Sequence, residues 1–377
     1  MRIHIATDHA AYELKNELVG RLREAGYDVV DHGASTFDAE DDYPTFIIPC
    51  AEAVVAADEL GIVLGGSGNG EQIAANKVRA VLVRGASPAS HRRDHGVRGL
   101  TASRMPEGHV LHRLARTFRE TFTADELHVS SPQGRFACEA ANLDGSSLLD
   151  AEAIGKHLFL RFDVPGPSFV HVHLGLIGKL RVHPLAPPVG AVRLRVDDGT
   201  TAADLHGPQW CRLVGTDEWR ATLAASGPDP LRDDAHPDDG LARVRRSGRP
   251  IAALLMDQRV AAGVGNIFRA EALFRLRLAP DLAGRDVDER TWRALWRELE
   301  LLMRAAVDVG RIDTVRPEHS PEAQGRPPRI DPHGGEVYVY RRAGQPCLVC
   351  GTEVRTRTLE GRNLYWCPRC QRRHRVR

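Results

Sequence analysis

The chain is poor in the features that mark membrane and disulfide-stapled proteins. No run of roughly eighteen apolar residues occurs, which excludes a hydrophobic helix long enough to span a bilayer. No signal-peptide pattern precedes the first predicted strand at Arg2–Ala6, so the chain is expected to be soluble and cytoplasmic. Cysteines number only seven in 377 residues, and four of them fall in one motif near the end. Cys50, Cys138 and Cys211 are scattered and read as core thiols, a pattern suited to a reducing compartment rather than to a disulfide framework. Charge of one sign is also lacking, since the net charge is +1. That balance is uneven: residues 1–105 carry 11 basic and 15 acidic side chains, leaving 40 and 35 for the remainder. Lysine is absent from Arg341 to Arg377, where ten arginines face two acids, Glu353 and Glu360.

What is present near the end is specific. Cys347/Cys350 and Cys367/Cys370 form two C-x2-C pairs with sixteen residues between them. Four thiolates on two short knuckles can surround one Zn²⁺ tetrahedrally, and the ion replaces the core that so short a segment lacks. Val354 and Thr356 alternate on one predicted arm of a hairpin, Gly361 turns, and Leu364-Tyr365-Trp366 forms the other. Arginine forks suit phosphate oxygens, and a cationic strip gains affinity from counterion release on nucleic acid. A charge run is often no more than a solvated face. Beside a zinc ribbon with Tyr365 and Trp366, nucleic-acid binding is the better reading.

The beginning of the chain has another character. Arg2–Ala6 reads as a buried strand, Tyr12–Ala25 as an amphipathic helix through Leu14, Leu18 and Leu22, and Gly61–Leu64 as a second strand. A glycine-rich turn at Gly65–Gly70 leads into a helix from Glu71, and Arg79–Val83 makes a further strand. This alternation predicts a parallel sheet with ligands at the strand carboxyl ends. ATDHAAYELK at Ala6–Lys15, DDYP at Asp41–Pro44 and GGSGNGEQIAANK at Gly65–Lys77 resemble type B ribose-5-phosphate isomerase. The resemblance implies a partial Rossmann-like α/β fragment over residues 1–83, with Glu71 as the base of the enediol proton transfer. It sets Asp8 and His9 near the sugar and Ser67 beside the reacting end. After Val83 the motif stops, and residues 84–104 read as an irregular, arginine-rich junction. Missing strands would leave an unpaired edge, so isomerase activity is not expected of this fragment.

From Met105 a second pattern begins. Pro106-Glu107-Gly108-His109-Val110 opens a predicted helix with Leu111, Leu114, Ala115 and Phe118 on one face. Proline at N1 and an acid in the first turn are a sufficient structural reason for that opening. β-rich runs at Leu158–Phe162, Phe169–Leu174 and Ala191–Val196 suggest a β-sandwich of about 100 residues. A linker is predicted over residues 226–237. Helical patterns follow at Ile251–Asp257, Asn266–Leu276 and Thr291–Val307, and the glycines of the segment Gln258–Asn266 permit close backbone approach.

The order helix, sandwich, helical domain with a VGN turn and four-cysteine ribbon resembles the formamidopyrimidine-DNA glycosylase/endonuclease VIII family. The resemblance spans residues 105–377. It implies a multidomain α+β chain: a catalytic β-sandwich domain at 105–225, a helix-two-turns-helix DNA-binding domain at 238–332 and a zinc ribbon at 333–377. It also implies a bifunctional DNA glycosylase/AP lyase acting on damaged double-stranded DNA at the nucleoid, and a monomer is expected because the isomerase family's dimer surfaces are largely absent. Pro106 takes the nucleophile's place and Glu107 that of the proton-shuttling carboxylate. Lys156 and Arg362 match groups that hold the phosphate beside the lesion, and Asn266 matches a contact to the DNA backbone. Leu176 is the expected filler of the gap left by a flipped base, because Asp204-Leu205-His206-Gly207-Pro208 stands where an Arg-Phe wedge would be. The opening PEGH and the YWC before the last cysteine pair resemble the endonuclease VIII branch, so oxidised pyrimidines are the expected lesions. His109 and His112 receive no role, and His171 and His173 read as packing or surface residues.

One conflict follows from elementary chemistry. A proline joined to Met105 is an amide whose nitrogen lone pair is delocalised, and it cannot attack a sugar carbon. Initiation at Met105 with methionine removal is the first expectation, proteolytic release of the same terminus the second. The alternatives are a fusion that binds damaged DNA without cutting it, or a ribose-5-phosphate isomerase working from the amino-terminal half.

Overall fold

A computed structural model of the chain describes residues 2–38, 41–57, 59–65, 71, 74–75, 78, 106–330 and 335–372. The predicted strand at Arg79–Val83, most of the glycine turn including Ser67, the junction 84–104 and Met105 lie outside the described residues. The chain divides into two compact units, Met1–Ala102 and Ser103–Arg377.

In the first unit, β1 (Arg2–Ala6) is the centre of a parallel three-stranded sheet, flanked by β2 (Asp28–Asp31) and β3 (Leu60–Val63). Alternate residues of a strand face opposite sides. Ile5 accordingly packs with Val19 and Leu22 of α1 (Tyr12–Glu24), whereas Ala6 packs with Ile47, Cys50 and Ala51 of α2 (Pro44–Ala57). The loop after β1 carries Asp8, which accepts from the Ala10 amide at 3.0 Å, and His9, whose amide and Nδ1 both meet Asp41 Oδ1 at 2.9 and 2.8 Å. Glu71 is buried against Gly65, where an added Cβ would overlap the Glu71 carboxylate.

The second unit begins with α3 (Gly108–Thr121), whose Leu111, Ala115 and Phe118 enter the core of a β-sandwich. One sheet is ordered β4-β9-β10-β8 and comprises His128–Ser130, Val192–Asp197, Thr201–His206 and Lys179–Pro184. The other is β11-β7-β6-β5, comprising Trp210–Val214, Phe169–His173, His157–Phe162 and Leu148–Ile154. In sequence α4 (Ala137–Leu143) stands between β4 and β5, and α5 (Thr216–Ala225) follows β11 with Trp219 stacked on Phe169.

The segment expected to be a linker is instead a strap with fixed contacts. Gly227 donates to Gln258 O, Ala262 donates to Pro228 O, and Arg232 pairs with Glu152 at 2.7 Å. Beyond it come α6 (Pro237–Arg245), α7 (Ile251–Leu254), α8 (Asn266–Arg275), α9 (Glu289–Val309) and α10 (Pro321–Gln324). The helix expected over Ile251–Asp257 closes after Leu254, because Leu255–Asp257 turn the chain toward the glycine segment. In α9, Trp292, Leu295, Leu299, Leu302 and Met303 recur at helical spacing and form one core with α8. The ribbon hairpin, β12 (Arg355–Leu359) and β13 (Arg362–Trp366), shares that core through Val354, Leu364 and Tyr365.

Three sequence expectations are corrected. Cys138 is exposed, because it lies on the outer side of the two-turn α4, whereas Cys50 and Cys211 are buried. Asp204 and Leu205 belong to β10, where Asp204 takes a two-pronged ion pair from Arg195 at 2.7 Å and Leu205 is core; neither stands in a loop. Pro106 precedes the helix instead of starting it, since Glu107 has extended backbone and is the N-cap.

Glu271 ties the ribbon approach to α8. Its fully buried carboxylate accepts from the amides of Tyr338, Val339 and Tyr340 at 2.7–2.9 Å and from Thr314 Oγ1 at 2.6 Å. Glu271→Ala strands three amides in the interior at roughly 1–3 kcal/mol each. It is therefore expected to lower the melting temperature of the helical domain by well over the effect of Glu271→Gln, measured by circular dichroism.

Candidate active site

Glycine geometry brings the site together. Gly108 donates to Gly263 O at 2.8 Å, and a Cβ on Gly108 would stand 2.7 Å from Gly263 Cα. A Cβ on Gly155 would meet Gly263 N at 3.0 Å, and both Gly155 and Gly263 have left-handed backbone, with φ of +59° and +81°. Only residues without side chains allow the start of α3, the β5–β6 turn and the glycine segment before α8 to touch backbone to backbone. Each of these three carries a candidate residue: Pro106 and Glu107, Lys156, and Asn266.

Glu107 caps a helix other than its own. Its carboxylate accepts from the amides of Gly265 at 3.1 Å, Ile267 at 2.8 Å and Phe268 at 3.3 Å, at the N-terminus of α8. These unpaired amides and the helix dipole favour a negative charge. Burial nevertheless dominates and raises the Glu107 pKa above the ordinary carboxylate value, against the opposing influence of Lys156 and the three amides. A carboxyl group so placed keeps its proton to a higher pH than an exposed glutamate does. Pro106, half-buried, directly precedes it.

Lys156 sits in the two-residue turn between β5 and β6, not within a strand. Its pKa is lowered, first by burial and then by Arg362, while Glu107 opposes the shift. The strap fixes this turn: Asp229 accepts from the Gly155 amide at 2.8 Å and from His112 Nε2 at 2.8 Å. His112 and Asp229 are thus supporting residues that sequence reasoning left without a role. His171 is buried in a chain His157–His171–Glu218, with contacts of 2.9 and 3.0 Å, beneath the same turn. Burial pushes the His157 pKa down to about 3, so the imidazole is neutral.

Asn266 starts α8, and its Nδ2 donates to Asn363 O of the ribbon hairpin at 3.0 Å. Arg269, one turn on and fully buried, donates to the same carbonyl at 3.0 Å and to Asn266 Oδ1. Burial and the nearby Arg362 lower the Arg269 pKa to about 10. Arg362, exposed at the first position of β13, lines a cleft of about 400 Å³ together with Arg249, Arg259, Arg269, Asp257 and Glu360. Leu176 is exposed at the β7–β8 turn beside the equally exposed Ile177, which sequence reasoning did not single out.

The cysteines converge as their spacing predicts. Sγ atoms of Cys347 and Cys370 lie 3.9 Å apart, those of Cys350 and Cys367 3.5 Å apart, and all four fall within 4.8 Å of one another. Four thiolates at about 2.3 Å from a tetrahedral Zn²⁺ stand about 3.8 Å apart, so the set fits one structural zinc and is too wide for disulfides. In the first unit Asp8, His9 and Asp41 also gather, with His9 held in a raised pKa range by its bond to Asp41.

Comparison with known proteins agrees with this layout. Family models match for the formamidopyrimidine-DNA glycosylase N-terminal domain at residues 105–206, its H2TH domain at 226–317, and a zinc finger found in FPG and IleRS at 344–373. A ribose/galactose isomerase model matches residues 3–136, running past the point where the isomerase-like motifs end and overlapping α3 and β4. Endonuclease 8 1 of Mycobacterium tuberculosis is 48% identical over 273 residues, 71% of this chain and 100% of the relative. A formamidopyrimidine-DNA glycosylase of Thermus thermophilus is 36% identical over 234 residues, 60% of this chain and 84% of the relative. The solved MutM (FPG) protein from Thermus thermophilus superposes with a TM-score of 0.55 at 30% identity, covering 71% of this chain and 98% of that one. MutM in complex with carbocyclic 8-oxo-G containing DNA shares the fold, with a TM-score of 0.57 at 21% identity over 71% of this chain and all of that one.

Gly265 makes the Glu107 cap possible, since a Cβ there would overlap the Glu107 carboxyl group. Gly265→Ala is expected to expel that group and to lower base removal by roughly 10²-fold, the usual scale for losing a placed proton donor. Single-turnover assays on lesion-containing duplex check this, with zinc content as the control for folding.

Proposed function

This chain belongs to the formamidopyrimidine-DNA glycosylase and endonuclease 8 family, and from that premise we propose how its residues carry out the reaction. The chain is a bifunctional DNA glycosylase/AP lyase of base excision repair that acts on oxidised bases. The observation that carries the reading is the placement of Glu107, next to Pro106 in the chain, buried on the amides at the N-terminus of α8.

The Pro106 nitrogen, once free, attacks C1′ of the damaged nucleotide. The N–C1′ bond forms as the C1′–base bond breaks, the base leaving with the proton that the proline nitrogen gives up; Glu107 then protonates O4′ as the C1′–O4′ bond opens, which leaves the iminium at C1′. The resulting iminium acidifies C2′, whose proton is lost as the 3′ phosphate leaves by β-elimination. A second elimination, the δ step, releases the 5′ phosphate, and water frees the enzyme. Lys156 and Arg362 hold the phosphate beside the lesion, Asn266 bonds the backbone from the helix start, and Leu176 enters the gap left by the flipped base. The four cysteines hold zinc, which keeps the hairpin rigid so that Arg362 meets that phosphate in one geometry. PEGH and YWC support oxidised pyrimidines as the preferred lesions.

On this reading the sandwich takes residues 105–225, the segment expected to be a linker residues 226–237, the helical domain 238–332 and the ribbon 333–377. The enzyme works as a monomer on damaged double-stranded DNA in the cytoplasm, at the nucleoid. No step uses Asp8, His9, Ser67 or Glu71 of the isomerase-like fragment.

Two outcomes test the reading. Protein beginning at Pro106 is expected to form a borohydride-trapped covalent adduct with abasic DNA, whereas the chain with Pro106 still joined to Met105 forms none; mass spectrometry of the adduct locates the link. Base release should fall as pH rises through the raised Glu107 pKa, because the protonated form donates. Glu107→Gln should lose that alkaline limb and most of the base release in a pH–rate profile.

A further inference from the structure

The tip of the ribbon hairpin has an unusual residue. Leu359 and Arg362 are paired across the hairpin, so Glu360 and Gly361 form a two-residue turn, with φ of +48° and +74°. Consecutive left-handed residues favour asparagine, aspartate or glycine, and a longer L side chain there costs roughly 1 kcal/mol or more. Local propensity alone therefore disfavours glutamate at the first position. A residue kept in poor backbone geometry invites the question of what its side chain does.

Glu360 is gripped by the helical domain. Arg249 Nε donates to Glu360 Oε1 at 3.0 Å and Arg249 Nη2 to Oε2 at 2.5 Å, a planar two-pronged pair. Arg249 is itself held in the loop before α7: its amide donates to Ser247 Oγ at 3.1 Å, and its carbonyl accepts from the Gly284 amide at 2.9 Å. Asp257 stands 3.9 Å from Arg249 on the other side. Further down the hairpin, Asn266 and Arg269 hold the Asn363 carbonyl. Arg362 thus lies between two anchors, one at the turn and one on the following residue, and it faces the cleft that both anchors border.

We infer that Glu360 and Arg249 are positioning residues for the phosphate contact of Arg362, joining the hairpin tip to the helical domain so that the guanidinium is presented in one place before DNA arrives. The inference rests on the reading of Arg362 as a phosphate ligand. It carries an unusual consequence, because the clamp puts a carboxylate beside a polyanion's binding site. By charge alone, removing Glu360 would strengthen DNA binding. By positioning, removing it weakens binding.

The two effects have opposite sign, and the full chain suffices to separate them, since binding needs no free Pro106. The probe is a duplex carrying a tetrahydrofuran abasic analogue, titrated by fluorescence anisotropy at fixed salt. Glu360→Gln is expected to weaken binding about 5-fold, and Glu360→Asn to do the same while relaxing the turn and leaving zinc content and melting temperature at or above the parent's. Arg362→Gln should weaken binding by about 10-fold, and adding Glu360→Gln to it should cost nothing more. The reversed pair Arg249→Glu/Glu360→Arg should recover most of the loss of either single change. If Arg362→Gln weakens binding but Glu360→Gln leaves it equal or tighter, the positioning role is overturned and the phosphate reading stands. If Arg362→Gln itself has no effect, both fall.

Discussion

A single buried carboxylate on the start of a helix that is not its own governs this architecture. Glu107 lies 158 residues before Gly265 in sequence, yet its oxygens take up the first free amides of α8. Without it those amides would be stranded in the interior, and without them Lys156 alone would offset the burial of the carboxylate. The arrangement is selective about protonation. The helix end favours the charged form, desolvation favours the neutral form, and desolvation prevails. The same contact sets where Pro106 sits, because the residue before an N-cap has little freedom once the cap is buried.

Everything around that contact serves to hold three chain segments close. Gly108, Gly155 and Gly263 remove the side chains that would keep them apart. Asp229, on the strap between sandwich and helices, then bonds the turn that carries Lys156 and reaches His112 on α3. Glu271 performs the corresponding task for the ribbon, collecting the amides of residues 338–340. Both acids are buried and both accept from main-chain amides, so each orders backbone at the point where a functional side chain leaves it. The domains are therefore connected by backbone-to-carboxylate contacts, which depend on shape as much as on charge.

This explains which parts were legible in the sequence. The ribbon was, because four cysteines at fixed spacing leave few alternatives. Leu111, Ala115 and Phe118, like Trp292, Leu295 and Leu299, declared their helices through period alone. The two glycines before Asn266 announced a close approach. What approaches them was not legible: helical capping rules look for a partner within four residues, and Glu107 is far outside that window. For the same reason the PE opening suggested an ordinary first turn, with proline at N1, when Glu107 is in fact the N-cap. Asp229 sat in a stretch rich in proline and acids that reads as a linker, and its burial depends on a turn from another domain. Arg269 gave no signal of its own, since its partners Asn266 and the Asn363 carbonyl come together only in the fold. Asp204 resembled part of a loop because its partner Arg195 lies across a strand pair, invisible to any local pattern.

All the groups assigned to the reaction lie between Pro106 and Arg362, and so do the carboxylates and glycines that arrange them. Chemistry asks only one thing of residue 105, that it not be bonded to the proline nitrogen. An amide there leaves the bonds of Glu107 in place, since none of them uses a free amine, but it removes the lone pair to which the proposed mechanism assigns the bond to C1′. On the proposed mechanism, blocking the terminus thus removes the reaction and leaves the framework of the site as it is. A chain in which both forms coexist would contain an enzyme and its own inert competitor for the same lesions, distinguished by a single bond.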